Sequence, residues 1–311
     1  MIGRVTQQGL KQATLANLQS NLSRMSQLQE QLSSGKRIMK ASDDPAGMVD
    51  AMRIRGDQRA NAQYVRNAGD GVGWLSTVDK ALQGSTALLT RARNLTIQGS
   101  NAGALGAAAR EALATEIEAT AEAIREQANS TYLGRTVFAG TSSAGEAFNA
   151  GGTFVGDPVS PVARRISDNT TVRVDSNGKT VFGENAWPAG KAPGELTPVE
   201  AEGVSVFALL NQLAADLRAG NSVNGYLDHI DIRMDAMLKE VAAVGTRYNQ
   251  VLQAQETLAD DKVRLKGHLT DVEDVDLAET IVELKAQEIA YQSALSATSR
   301  ALQPSLLDFL R

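Results

Sequence analysis

Residues 15–32 read LANLQSNLSRMSQLQEQL, and residues 277–302 read LAETIVELKAQEIAYQSALSATSRAL. In the first, Leu15, Leu18, Leu22, Met25 and Leu32 fall three and four apart. In the second, Leu277, Ile281, Leu284, Tyr291, Leu295 and Leu302 do the same. A coiled-coil seam needs this spacing. Residues 1–40 carry six basic side chains and one acidic, a balance of +5, whereas residues 271–311 carry eight acidic and three basic, a balance of −5. The two ends are therefore expected to pair. The fold class is mainly α: a long helical coiled-coil or bundle rod formed by both chain ends.

The first stripe stops at Ser33-Ser34-Gly35, where glycine suits a helix C-terminal cap and Lys36 and Arg37 can face the last carbonyls. A second helix is expected to open at Ser42-Asp43-Asp44-Pro45, with Asp44 accepting orphan amides and Pro45 in the first helical position. Its apolar positions, Val65, Val72, Leu75, Leu82 and Leu89, recur at helical period as far as about residue 98, and Gly99, Gly103 and Gly106 then break it. A third helix carries Leu113, Ile117 and Ile124 to about Asn129. Thr131 to Ala139 reads as a hairpin around Leu133-Gly134.

Composition changes after Gly140, since five of the seven prolines lie between there and Gly203. We expect a small inserted β domain over 141–204, with a hairpin of Thr171–Val174 and Lys179–Phe182 turning at Asn177-Gly178. A short helix over Val206–Ala219 follows. Beyond it, Val223, Leu227, Ile230, Met234, Met237, Val241, Val244, Tyr248, Val251, Leu258 and Leu265 hold one alternating four-three frame, interrupted at Gln255 and Lys262. About six heptads of this kind mark a long packed helix. Gly267 is expected to break it, and Asp276-Leu277-Ala278-Glu279 has the cap-then-Glu spacing that opens the last helix.

Composition narrows the function. Apolar residues make up 42% of the 311 but aromatics only 4%, which fits packed helices better than a ring-lined pocket. A net charge of −5 gives no general attraction to nucleic acid. There is no cysteine, hence no disulfide and no thiolate metal site. Neither an apolar signal core at Met1–Leu10 nor a run of 18 apolar residues is present, so membrane insertion and signal-peptide export are not expected. His229 and His268 lack a partner at metal-ligand spacing and read as surface residues. Asp271, Glu273, Asp274 and Asp276 lack the internal glycine of a compact cation loop. Gly178-Lys179-Thr180 lacks the earlier glycine of a phosphate loop, because Arg173 stands there. No catalytic residue, cofactor or metal is expected, and the chain reads as a non-enzyme.

Two segments resemble a known family. Leu32-Ser33-Ser34-Gly35-Lys36-Arg37-Ile38 with Ala41-Ser42-Asp43-Asp44-Pro45-Ala46-Gly47 is similar to the N-terminal signature of the bacterial flagellin family. Val272-Glu273-Asp274-Val275-Asp276-Leu277-Ala278-Glu279 is similar to its C-terminal one. Ser34, Gly35, Arg37, Asp43, Asp44, Pro45, Asp274 and Asp276 carry the likeness. Asp43-Asp44-Pro45, the stretch Gly134–Gly140 and the ending Ser305–Arg311 resemble the hook–filament junction members more than the filament subunits, although Thr136 stands where junction members have an aromatic.

The resemblance implies a layered subunit. Residues 1–42 and 271–311 would form an inner coiled-coil layer, 43–140 and 205–270 a helical layer, and 141–204 an outer β domain. It also implies an extracellular, self-assembling axial component of the flagellum, secreted through type III export. Its partners would be further copies of itself, a neighbouring hook-associated protein, flagellin, and an export chaperone on the C-terminal helix. Filament flagellin and a surface-displayed adhesin stay open as alternatives. Leu15, Leu18, Leu22, Met25 and Leu32, with Leu277, Ile281, Leu284, Tyr291, Leu295 and Leu302, are the expected assembly interface.

Overall fold

The computed structural model describes residues 7–100 and 106–301. Leu302 and the segment Ser305–Arg311 lie outside the described residues. Helices dominate: α1 (Gln7–Ser34), α2 (Pro45–Ser100), α3 (Ala107–Ala128), α4 (Gly178–Phe182), α5 (Pro198–Gly203), α6 (Val206–Ala219), α7 (Tyr226–Glu273) and α8 (Leu277–Ala301). The strands are short and form two antiparallel pairs: β1 (Thr131–Tyr132) with β2 (Arg135–Thr136), and β3 (Ala163–Arg165) with β4 (Thr171–Arg173). The chain divides into two compact units, residues 61–260 and the described parts of 1–60 and 261–311.

In the unit of residues 61–260, the α2 and α7 stripes meet in one core. Leu75, Leu82 and Leu89 of α2 are fully buried, as are Ile230, Met237, Val244 and Val251 of α7, together with Ile117 and Ile124 of α3 and Leu209, Leu210 and Leu213 of α6. Val65 does not join them and is exposed. The two long helices run antiparallel, with Asn61 Nδ2 donating to Leu258 O at 3.1 Å and Arg93 Nε to Asp231 Oδ1 at 2.7 Å. Phe138, Phe148, Phe154, Phe182 and Phe207 form a knot with ring centroids 4.9–6.1 Å apart. Such offset and edge contacts contribute about 0.5–1.5 kcal/mol beyond area burial. The knot draws residues 138–182 onto the helices, so they share its core.

The β1–β2 hairpin forms as expected, with φ of +49° at Leu133 and +78° at Gly134, the type I′ turn. The second expected hairpin does not. β4 pairs with β3 instead, Arg164 lying opposite Val172, and residues 178–182 turn into α4. Asn177 Oδ1 accepts the Lys179 amide at 3.0 Å and caps that turn. One helical face then buries both Val181 and Phe182, which a strand would point in opposite directions.

Two further expectations are corrected. α7 passes through Gly267 to Glu273, because one glycine weakens helix propensity without removing a hydrogen bond. His229 is buried, not on the surface. Its Nε2 lies 2.7 Å from Pro193 O, and its ring meets Trp187 edge-on at 5.6 Å, because the proline-rich strap over residues 185–197 folds onto α7.

Candidate assembly surface

The unit that joins the two chain ends is built around its links. α1 stops where Gly35 adopts φ +70°, and Ser34 Oγ accepts the Lys36 amide at 3.2 Å. The next residues pair with the turn between α7 and α8. Arg37 N donates to Glu273 O at 2.7 Å, Val275 N donates to Gly35 O at 3.1 Å, and the Lys36 backbone lies opposite Asp274 as an isolated antiparallel β-bridge. Asp43 Oδ2 accepts the amides of Met39 and Lys40 at 3.2 and 2.9 Å. Asp44 Oδ1 accepts the Gly47 amide at 2.9 Å, capping α2 with Pro45 at its first position. Asp276 Oδ1 does the same for Ala278 and Glu279 at the start of α8.

Arg37 ties the two halves, its guanidinium donating to Val272 O at 2.9 Å and to Asp44 Oδ2 at 3.4 Å. Asp43, Asp44 and Asp276 cap local turns in these links, and Arg37 joins one link to the other.

Glu273 is the residue that sequence reasoning missed. Its side chain is only 4% exposed, with Lys36 Nζ at 3.0 Å and Arg55 Nη2 at 2.5 Å on its two oxygens. A run of four nearby acids gives no signal of which one becomes buried. Leu28, Ile38, Ala51 and Ile54 supply the apolar floor of this unit. Among the described residues, no group of three or more His, Cys, Asp or Glu could hold a metal.

The Gly47 amide, assisted by Arg37, holds the Asp44 carboxyl below its ordinary range, and the Lys40 and Met39 amides do so for Asp43. A lowered folded-state value means that these groups stabilise the fold above the ordinary carboxylate range. That contribution is lost as pH falls through the lowered values. Carboxyl titration by NMR is expected to show both groups protonating later than exposed aspartates, with the first turn of α2 loosening together with them.

α1 and α8 pack against each other and run antiparallel, as Arg24 with Glu283 at 2.6 Å and Gln287 Nε2 with Asn21 O at 3.4 Å establish. The residues turned inward are Leu18, Asn21, Met25, Leu28 and Leu32 on α1, and Thr280, Leu284, Gln287, Tyr291, Ala294 and Thr298 on α8. Leu28, absent from the expected stripe, is the most deeply buried of them. Leu15, Leu22, Leu277, Ile281 and Leu295 are 48–59% exposed.

At about 100° per residue, these five lie on the same rotational flank of their helices. In an antiparallel pair, equivalent flanks fall on the same side. The five therefore share one side of the pair, where Gln29 and Glu288 also stand, at the same rotational position seven residues from Leu22 and Ile281. Val282 and Ile289, also exposed, lie on the opposite face of α8.

The class follows from this arrangement: a helical protein whose N-terminal and C-terminal regions close on each other as one unit. The profile of the bacterial flagellin N-terminal helical region matches residues 5–143, and that of the C-terminal helical region matches residues 227–310. The chain belongs to the bacterial flagellin family. It is 28% identical to a flagellin of Bacillus subtilis over 96% of each chain.

The fold is similar to that of a flagellar hook-associated protein of Vibrio parahaemolyticus, with a TM-score of 0.64 and 19% identity. That likeness covers 75% of this chain and 100% of that one. It is also similar to FlgL of Bacillus cereus, with a TM-score of 0.56 and 21% identity over 70% and 99% of the two chains. No described helix is long and apolar enough to cross a membrane.

Proposed function

We propose that this chain is a self-assembling axial component of the bacterial flagellum that joins the hook region to the flagellin filament. The observation that carries the reading is the one-sided apolar surface of the α1/α8 pair. Five large aliphatic residues on one side of two helices leave apolar surface that packing against a neighbour removes from water. Copies packed side by side would bury them.

In this reading residues 1–42 and 271–311 form the inner layer, 43–140 and 205–270 the helical layer, and 141–204 the outward part. The subunit is exported to the cell exterior, and a chaperone covers the C-terminal helix beforehand. It then meets a hook-associated neighbour on one side and flagellin on the other. It acts by packing and has no catalytic role. The fold likeness to hook-associated proteins, which spans nearly the whole of those chains, favours the junction. The Bacillus subtilis relative favours a second reading, the filament subunit itself.

Deleting the gene separates them. Electron microscopy is expected to show hooks without filaments, with flagellin released into the medium. Bare hooks with no flagellin in the medium would make the chain the filament subunit. Normal filaments would overturn both readings.

A further inference from the structure

The chain contains two Asn-Gly pairs, Asn177-Gly178 and Asn224-Gly225. A glycine after asparagine has no Cβ to shield its amide nitrogen from the carboxamide before it, and its backbone turns freely. The fold treats the two pairs differently. Asn177 Nδ2 donates to Pro158 O at 3.2 Å, its Oδ1 accepts the Lys179 amide at 3.0 Å, and its carbonyl accepts Thr180 N and Val181 N at 3.1 and 3.2 Å. The amide of Gly178, a buried residue, donates to Phe138 O at 3.0 Å.

Asn224 stands exposed just ahead of α7. Among the described residues its carboxamide has no hydrogen-bond partner and the Gly225 amide has no acceptor. Only two bonds restrain the pair, from Tyr226 N to Val223 O at 3.1 Å and from Leu227 N to Asn224 O at 3.2 Å. Asn221, in the same loop, is tied by Nδ2 to Asp216 Oδ1 at 3.0 Å. Gly225 is also where the strap over residues 185–197 rests: an added Cβ would lie 2.8 Å from Pro193 Cβ. One turn further along α7, His229 Nε2 meets Pro193 O at 2.7 Å, and Trp187 of the strap packs on Tyr226 at 5.1 Å.

We propose that Asn224 is a site of spontaneous deamidation whose isoaspartyl product releases the strap from α7. The Gly225 nitrogen attacks Asn224 Cγ and gives its proton to water, the Cγ–Nδ2 bond breaks, and Nδ2 leaves as ammonia. Water then opens the resulting succinimide. Opening at Cγ gives aspartate, and opening at the main-chain carbonyl gives isoaspartate, whose backbone runs through Cβ and Cγ. That route adds one backbone atom between residues 224 and 225 and moves Gly225 against Pro193. The inference stands apart from the assembly reading.

The test is to age the purified full chain in mildly alkaline heavy-oxygen water and digest it with trypsin, which releases residues 174–179 and 219–233 as separate peptides. Three more hydrogen bonds restrain the first pair than the second, so Asn224 is expected to deamidate at least about tenfold faster than Asn177. In urea that gap is expected to close. Amide exchange in residues 185–197 is expected to quicken by about three- to tenfold in the isoaspartyl fraction, measured by isoaspartyl methyltransferase labelling. Asn224→Gln, which cyclises far more slowly, is expected to keep the strap closed through ageing. Asn224→Asp, which adds the charge without the extra backbone atom, is expected to keep it closed from the start.

Deamidation of Asn177 as fast as that of Asn224, or a gap that persists in urea, would overturn the assignment of the site. Unchanged strap exchange in isoaspartyl protein, or equal loosening in Asn224→Asp, would overturn the release.

Discussion

Replacing Lys36 and Arg55 together by methionine is expected to destabilise the terminal unit more than Glu273→Gln does. The double replacement leaves a carboxylate buried and uncompensated, a change that costs about 3–5 kcal/mol. The single replacement leaves two cations whose side chains are 42% and 44% exposed and can turn to water. Its cost should stay below about 2 kcal/mol, since partly exposed pairs contribute little. Amide hydrogen exchange in α1 and α8 reads the difference directly. If the double variant exchanged no faster than Glu273→Gln, Glu273 would have to be hydrated, and its role in holding the two links together would fail.

A glutamate at Leu295 or Ile281 is expected to abolish incorporation into flagella while leaving the α1/α8 pair intact. Both residues lie on the open side of the pair, so the new charge stays in water in the free chain. It becomes buried without a partner only when copies pack. Leu28→Ala supplies the contrast, because its loss opens the pair itself at a cost of about 2–4 kcal/mol. Circular dichroism and amide exchange should therefore be unchanged in Leu295→Glu and altered in Leu28→Ala. Normal incorporation of Leu295→Glu would remove that side from the assembly surface.

Much of the helical body was legible because its signals are local. The Asp44-Pro45 start of α2, the Asp276 cap and the Val206–Ala219 helix each depend on a few neighbouring residues. The inward face of the terminal pair was not legible from spacing alone. On α1, the frame through Leu15, Leu18, Leu22, Met25 and Leu32 and the frame through Leu18, Asn21, Met25, Leu28 and Leu32 share three positions. Both have three-four spacing, so periodicity cannot choose between them. The links at Gly35 and Val275 fix which frame turns inward, and they meet only in the fold. Long-range contact also decided His229, which the strap around Pro193 covers, and α4, whose two large apolar side chains had to enter one aromatic knot.

The indole placement has an optical consequence. The two tryptophans, Trp74 and Trp187, both belong to the unit of residues 61–260. Trp74 sits beneath two guanidinium groups and Trp187 against Tyr226. Tryptophan emission, excited at wavelengths that spare Tyr291 of α8, therefore watches that unit and not the paired chain ends. A melt followed by emission would trace a single clean transition even after α1 and α8 had come apart, so the apparent robustness of the molecule depends on which chromophore is asked.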